Sequence, residues 1–237
     1  MIKHPYIFCR LETKERLYTV DDYQIHLERQ RPILGSLTIK EPIERDNIGV
    51  LQLGFQKNVY RTTALRVVSC AQIAEKTFDV LALEPLREIL DLEYIEQLQG
   101  VDLISALRTI TKKLILTFKV LGIPPVTRPK NLIFLETIRN AFDQLWQIFE
   151  QTDARWFINL MTQEFIFLPE GKFPIPAVKI PMDYFKSEFD GGIEINIVPM
   201  FRPFTPVTWR DQEEIIDIAR IDSKTRSMSI TFAEKTE

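Results

Sequence analysis

Glycine is scarce in this chain of 237 residues, which has eight. Phosphate loops, dinucleotide fingerprints and nucleophile elbows need glycine for tight turns and for close backbone approach to a ligand, so those chemistries find little support. The one adjacent pair, Gly191-Gly192, reads as a turn. The two cysteines, Cys9 and Cys70, make no metal or redox spacing, and a reducing compartment is the simplest reading. His4 and His26 are the only histidines and neither sits in a ligand pattern, so neither a metal nor a cofactor is expected. A Cys9–His4 couple fails because an offset of five places them on opposite faces of a strand.

Long apolar runs are also missing. The most apolar helical candidate, "LISALRTITKKLILTFKVLG", is broken by Arg108, Lys112, Lys113 and Lys119. A membrane span needs about 20 apolar residues with few charges, so none is expected. The opening "MIKHPYIFCRLETKER" reaches charges too early for a signal peptide, which predicts a cytoplasmic or virion location.

What is present is an ordinary globular composition, 45% hydrophobic and 27% charged, enough to bury a core as one large domain or two small ones. Residues 1–75 read mainly as strands, with a hairpin around "ETKER" and a second around "EPIERDN"; "YRTTALRVVSCAQI" is a buried strand or a helix from near Thr63. Residues 76–166 read as helical. Pro85 and Gly100 bracket one helix. Asp102 caps another, in which Leu103, Leu107, Ile110, Leu114, Phe118 and Leu121 recur at spacings of three and four until Gly122 and Pro124-Pro125. A third runs from about Asn131, and a short fourth is capped by Asp153. Residues 167–237 hold seven of the fourteen prolines and read as an extended region. It closes in a hairpin that carries Ile216 and Ile218 on one arm and Met228, Ile230 and Phe232 on the other, with a helix from Thr208 as the rival. The expected fold is therefore α+β: a β-rich N-terminal part, a central helical hairpin or bundle, and a proline-rich extended part ending in a β-hairpin. The three segments form separate parts or one composite domain.

Charge is segregated beneath a net −3. Residues 75–99 carry −5 and residues 101–140 carry +5. On a helix, Arg108, Lys112 and Lys119 share one flank, a candidate anion or nucleic-acid face. The competing account is a helical hairpin in which Glu84, Glu88, Asp91, Glu93 and Glu96 supply the counter-charges. Glu12, Lys14, Asp21 and Asp22 fit a solvated turn better than a metal-dependent nuclease centre. Asp211, Glu213, Glu214 and Asp217 match no calcium loop and read as a solvated face.

The last third interleaves proline with aromatic residues. In "EGKFPIPAVKIPMDYF", Pro174 and Pro176 remove donors from one edge of an extended chain, which describes a one-sided edge segment. Phe173, Ile175, Phe201, Phe204 and Trp209 are the candidate protein interface. These features point first to a non-catalytic structural or adaptor subunit of a multi-protein assembly, such as a virion, a phage tail or a comparable machine. Its partners would be other protein subunits in a homo- or hetero-oligomer, with no membrane. A nucleic-acid module built on residues 101–121 is the alternative, and an enzyme without a sequence motif is the second alternative.

Overall fold

Alternating burial, the signature of strands, runs through most of the chain. The computed structural model describes residues 7–28, 33–55, 58–151, 154–169 and 177–233. Strand makes up 57% and helix 14%. The chain divides into two compact units, Met1–Pro85 with Pro176–Glu237, and Leu86–Ile175.

Unit 1 opens with six strands: β1 (Ile7–Thr13), β2 (Leu17–Glu28), β3 (Leu34–Ile39), β4 (Ile48–Phe55), β5 (Asn58–Ala74) and β6 (Thr77–Leu83). They pair antiparallel in the order β1-β4-β5-β6-β3-β2, and β1 also pairs with β2, so the ladders close into a six-stranded barrel. Its inward residues alternate with polar outward ones. On β5, Thr63, Leu65 and Val67 are buried, as are Gly49, Leu51 and Leu53 on β4.

Unit 2 follows as an insertion: α1 (Leu86–Leu90), β7 (Glu93–Val101), α2 (Leu103–Lys113), β8 (Thr117–Val120), β9 (Lys130–Thr137), α3 (Ile138–Ile148), β10 (Arg155–Asn159) and β11 (Glu164–Leu168). β7 and β9 form a two-stranded antiparallel ribbon, and β10, β11 and β8 form a three-stranded sheet. The core is aromatic. Phe142 lies 5.0 Å from Phe165 and 4.8 Å from Trp156, and Trp146 stacks on Phe167 at 5.5 Å between ring centroids.

The chain then returns to unit 1 with β12 (Val178–Lys179), β13 (Phe185–Phe189), β14 (Gly192–Asn196), β15 (Pro206–Trp209), β16 (Gln212–Asp222) and β17 (Ser227–Phe232). β16 extends the barrel sheet from β2, and β17, β14 and β13 follow in order. The β16–β17 hairpin pairs Asp222 with Ser227 across the turn.

A central helical hairpin is therefore not the architecture. Leu86–Gly100 is one short helix followed by β7, because Tyr94 is buried while Ile95 is exposed, a period of two. The stretch from Asp102 to Leu121 is helical only to Lys113. Asp102 does cap it, its side chain accepting from Ser105 N–H at 2.7 Å. Residues 130–137 form β9, and the helix expected from Asn131 begins at Ile138 with Thr137 as its cap. "DARWFINLMTQEF" is the β10–β11 hairpin, not a helix, and Asp153 lies outside the described residues. Thr208 belongs to β15, which excludes the helix from that point.

The helix ends explain part of the difference. α2 closes in a Schellman arrangement: Leu116 N–H donates to Thr111 O at 3.0 Å and Ile115 N–H to Lys112 O at 3.1 Å. Ile115 takes the left-handed position, φ 56°, where glycine is usual. α3 ends the same way, with Gln151 N–H donating to Trp146 O at 2.9 Å and Glu150 at φ 54°. Glycine is scarce because other residues make its turns. Among the described residues, nine that are not glycine have positive φ.

Two substitutions test these backbone positions. A β-branched residue in the left-handed region costs about 1–2 kcal/mol, and Ile115 is 83% exposed, so it has little packing to lose. Ile115→Gly is expected to stabilise unit 2 by roughly 1 kcal/mol, measured by urea unfolding followed by tryptophan fluorescence. At Gly192 a Cβ would fall 2.2 Å from the backbone oxygen of Ile230 and 2.6 Å from the Phe189 ring. Gly192→Ala is expected to destabilise by roughly 1–3 kcal/mol. Gly35→Ala, with its nearest neighbour at 3.6 Å, serves as the tolerated control in the same unfolding measurement.

Candidate assembly surfaces

The β7–β9 ribbon has two apolar faces. Register sets Ile95 opposite Leu135 and Gln97 opposite Ile133 on one of them, and Leu98 opposite Leu132 on the other. The inner face carries Tyr94, Leu132 and Phe134, all buried, with Tyr94 and Phe134 rings 5.4 Å apart. Burial and the negative charge of Glu96 push the Tyr94 phenol up to about 12. Lys113 pairs with Glu96 and lies 5.2 Å over the Tyr94 ring, which pins the end of α2 to the ribbon. The outer face carries Ile95, Ile133 and Leu135, exposed by 60%, 60% and 68%. Single exposed apolar residues are common, but three on one small face form a patch of the kind that marks an interaction surface.

The ribbon's edges are also available. Among the described residues, each of β7 and β9 has the other as its only ladder partner. A two-stranded ribbon with free edges can accept a further strand through backbone hydrogen bonds.

The connection from β8 to β9 adds apolar surface within the same unit. In "GIPPVTRP", residues 122–129, Ile123 and Val126 are exposed by 77% and 103%. Pro124, Pro125 and Pro129 fix φ and withhold backbone donors, which favours an extended, solvated course. Thr127 ties the loop to α2 by accepting from Leu103 N–H at 2.9 Å.

The basic residues do not form the expected single flank. Arg108 and Lys112 are exposed on α2, with the Arg108 guanidinium 5.9 Å over the Phe118 ring. Lys119 is on β8, not on the helix, and its Nζ is 3.6 Å from Glu164. Of the acidic residues expected to face a basic helix, Glu96 joins Lys113, Asp91 lies 3.4 Å from Arg139, and Glu84 is buried in unit 1. The acidic stretch forms only the short α1 before β7, so Glu96 meets α2 from a strand and Asp91 meets α3 from a loop instead of both facing α2 across a helical hairpin.

The proposed aromatic interface is distributed differently too. Phe201, Phe204 and Trp209 are buried by this chain itself. Trp209 stacks on Phe185 at 5.1 Å and is covered by Arg210 at 5.4 Å, while Arg210 reaches Glu188 at 2.7 Å. Phe204 is held at φ 69° by its N–H donating to Ile216 O at 2.8 Å. Phe173 and Ile175, with Pro174 and Pro176, lie outside the described residues. The segment just after them pairs on one side, β12 lying parallel to β15 with Ile180 N–H donating to Thr208 O at 3.0 Å.

Among the described residues no group of three or more His, Cys, Asp or Glu side chains is placed to hold a metal ion. Glu12 and the pair Asp21-Asp22 lie on β1 and β2, and Glu12 accepts from Gln52 Nε2 at 2.7 Å. Among the same residues no helix is long and apolar enough to cross a membrane. The sequence reading missed the outer face of the ribbon. Its signal was there, in "NLIFLE", where apolar residues occupy both parities of a short run.

No family model matches the chain, and no curated protein sequence does. Solved structures do match in fold. The chain is similar to the 43 kDa tail protein of prophage MuSo2 from Shewanella oneidensis, with a TM-score of 0.71, 11% identity, and 97% and 98% of the two chains covered. It is similar to the E. coli c3393 protein, a component of the type VI secretion system with structural similarity to the T4 bacteriophage tail proteins gp27 and gp5 (TM-score 0.68, 9% identity, 96% of this chain and 77% of that one). A tail protein from Neisseria meningitidis MC58 matches with a TM-score of 0.66 and 7% identity over 97% of each chain. At these identities the likeness is one of fold, and it takes in both units.

Proposed function

We propose that this chain is a non-catalytic structural subunit of a phage-tail-like assembly, where it contacts other protein subunits. The observation that carries this is the extent of the fold likeness. It covers 96–97% of the chain in tail proteins and in a type VI secretion component, including the inserted unit 2. A barrel alone would be weak support, because one fold serves many functions. A barrel with this insertion between β6 and β12 is a more specific arrangement. The outer face of the β7–β9 ribbon gives the reading a place to act, and its free edges suit joining by an added strand. The nucleic-acid alternative has less support, because Lys119 lies beside Glu164 and Arg108 lies against Phe118.

The test is the solution mass by light scattering over a range of concentrations, together with electron microscopy of tail-like particles probed for this chain. A mass above the 27.8 kDa of one chain, or its presence in such particles, supports the proposal. A monomer at every concentration that is absent from particles overturns it. Ile133→Thr with Leu135→Thr separates assembly from folding. Both side chains are already exposed, so stability is expected to stay within about 0.5 kcal/mol by urea unfolding, while the assembled fraction falls. If the double variant assembles as well as the parent, the ribbon is not the contact.

A further inference from the structure

Unit 2 carries two exposed apolar surfaces of opposite charge. The first is the outer face of the β7–β9 ribbon. Its two rows are Glu93, Ile95 and Gln97 on β7 and Thr137, Leu135 and Ile133 on β9, opposite each other in that order. Glu93 is the one charged residue in these rows, and it is exposed. The second surface is the connection from β8 to β9. It presents Ile123 and Val126, has no acidic residue, and ends in Arg128 and Lys130, both exposed. Among the described residues neither Glu93 nor Arg128 makes an ion pair. Within one chain the two surfaces do not meet. Thr127 anchors the loop to Leu103, the first residue of α2, and α2 lies against the inner face of the ribbon, with Lys113 over the Tyr94 ring. The loop is thereby held on the side opposite the outer face, and both surfaces stay in water.

The surfaces match in spacing as well as in charge. Pro124, Pro125 and Pro129 fix their own φ, and they hold the residues before them, Ile123 and Arg128 among these, in extended backbone. An extended chain advances about 3.1–3.4 Å per residue, in polyproline and in strand alike. Val126 stands two residues from Arg128 on the loop, and Ile95 stands two residues from Glu93 on β7. Val126 seated on Ile95 and Leu135 therefore brings the Arg128 guanidinium over the Glu93 carboxylate, about 6–7 Å along the strand. Ile123 then falls on the other side of Val126, toward Ile133. The prolines also reduce the conformational freedom that the loop would lose on docking.

We infer that the loop between β8 and β9 docks on the outer face of the β7–β9 ribbon of a second copy of this chain, with Val126 on Ile95 and Leu135 and with Arg128 paired to Glu93. The contact joins two different surfaces, so it is head-to-tail, and its repetition closes into a ring or runs on as a filament. One contact removes both apolar surfaces from water and neutralises the charge on each. The inference rests on the assembly reading above and deepens it, by naming a second copy as the subunit that covers the ribbon.

A head-to-tail contact has a signature in mixing. Val126→Asp spoils the loop and leaves the ribbon intact, while Ile133→Thr with Leu135→Thr spoils the ribbon and leaves the loop intact. All three positions are exposed, so both variants are expected to unfold at the urea midpoint of the parent. By light scattering the parent is expected to exceed the 27.8 kDa of one chain, and each variant alone to be a monomer. Mixed in equal amounts, the two variants are expected to form a particle of two chains and nothing larger, because one sound loop meets one sound ribbon and the remaining pair is spoiled. Glu93→Arg and Arg128→Glu are each expected to weaken assembly about fivefold at low salt, and the two together in one chain to restore it. A mixture that stays monomeric, a Val126→Asp chain that assembles like the parent, or charge reversals that do not compensate each other overturn the inference. So does a parent that is monomeric at every concentration but present in tail-like particles; the assembly reading then stands, and a different subunit covers the ribbon. A monomer that is also absent from the particles overturns both.

Discussion

Strand β2 is the constraint on which unit 1 depends. Its residues 20–26 pair with β3 along one edge. Along the other edge it pairs first with β1, at residues 17–19, and then with β16, at residues 24–28. The first pairing closes the barrel and the second joins the barrel to the C-terminal strands. Each shift of one residue would turn Ile25 and Leu27 out of the core, so three partners fix one register. β16 mirrors the arrangement, with β17 on one edge and β15 followed by β2 on the other. The first and last parts of the chain are thereby one folded unit, and the intervening residues can form a second unit without breaking any ladder of the first.

Sequence patterning located the elements whose two faces differ in polarity. The closing hairpin was legible because Met228 and Ile230 alternate with Ser227, Ser229 and Thr231, and the strands of the first 75 residues for the same kind of reason. The cap at Asp102 was legible because a carboxylate before an apolar run has one local use. The ends of α2 and α3 were not. A search for glycine stops α2 at Gly122, nine residues beyond Lys113, because Ile115 occupies the left-handed position instead. Long-range pairing was also invisible. Nothing near Leu86 or Pro176 in composition marks the return of the chain to its first unit, since that boundary is set by contacts between β16 and β2.

The candidate interface shows the same division. Counting aromatics in the last third picks out Phe201, Phe204 and Trp209, and their size alone does not say whose core they fill. The fold does: Ile216 fixes Phe204, and Phe185 with Arg210 encloses Trp209. The charge segregation was read correctly as arithmetic and wrongly as geometry. Residues 101–140 are basic in any conformation, but Arg108, Lys112 and Lys119 share a flank only if one helix carries all three.

The largest misreading and the clearest assembly surface have one physical cause. Residues 130–137 were read as helix because apolar side chains fall on both parities, so a period of two is hidden. A solvated two-stranded ribbon normally keeps one polar face, and two strands alone are marginally stable in water. Here the inner face is satisfied by α2 and the aromatic core, and that packing stabilises the ribbon without any use of Ile95, Ile133 or Leu135. Their apolar character does nothing for the isolated fold, and Ile115 and Val126, in the same unit, are likewise exposed at a cost to the monomer or at no gain to it. Residues of this kind lower the free energy only when another surface removes them from water. The ambiguity in the sequence is therefore information: a short strand with a helix-like apolar pattern has two faces to cover, and this fold covers one.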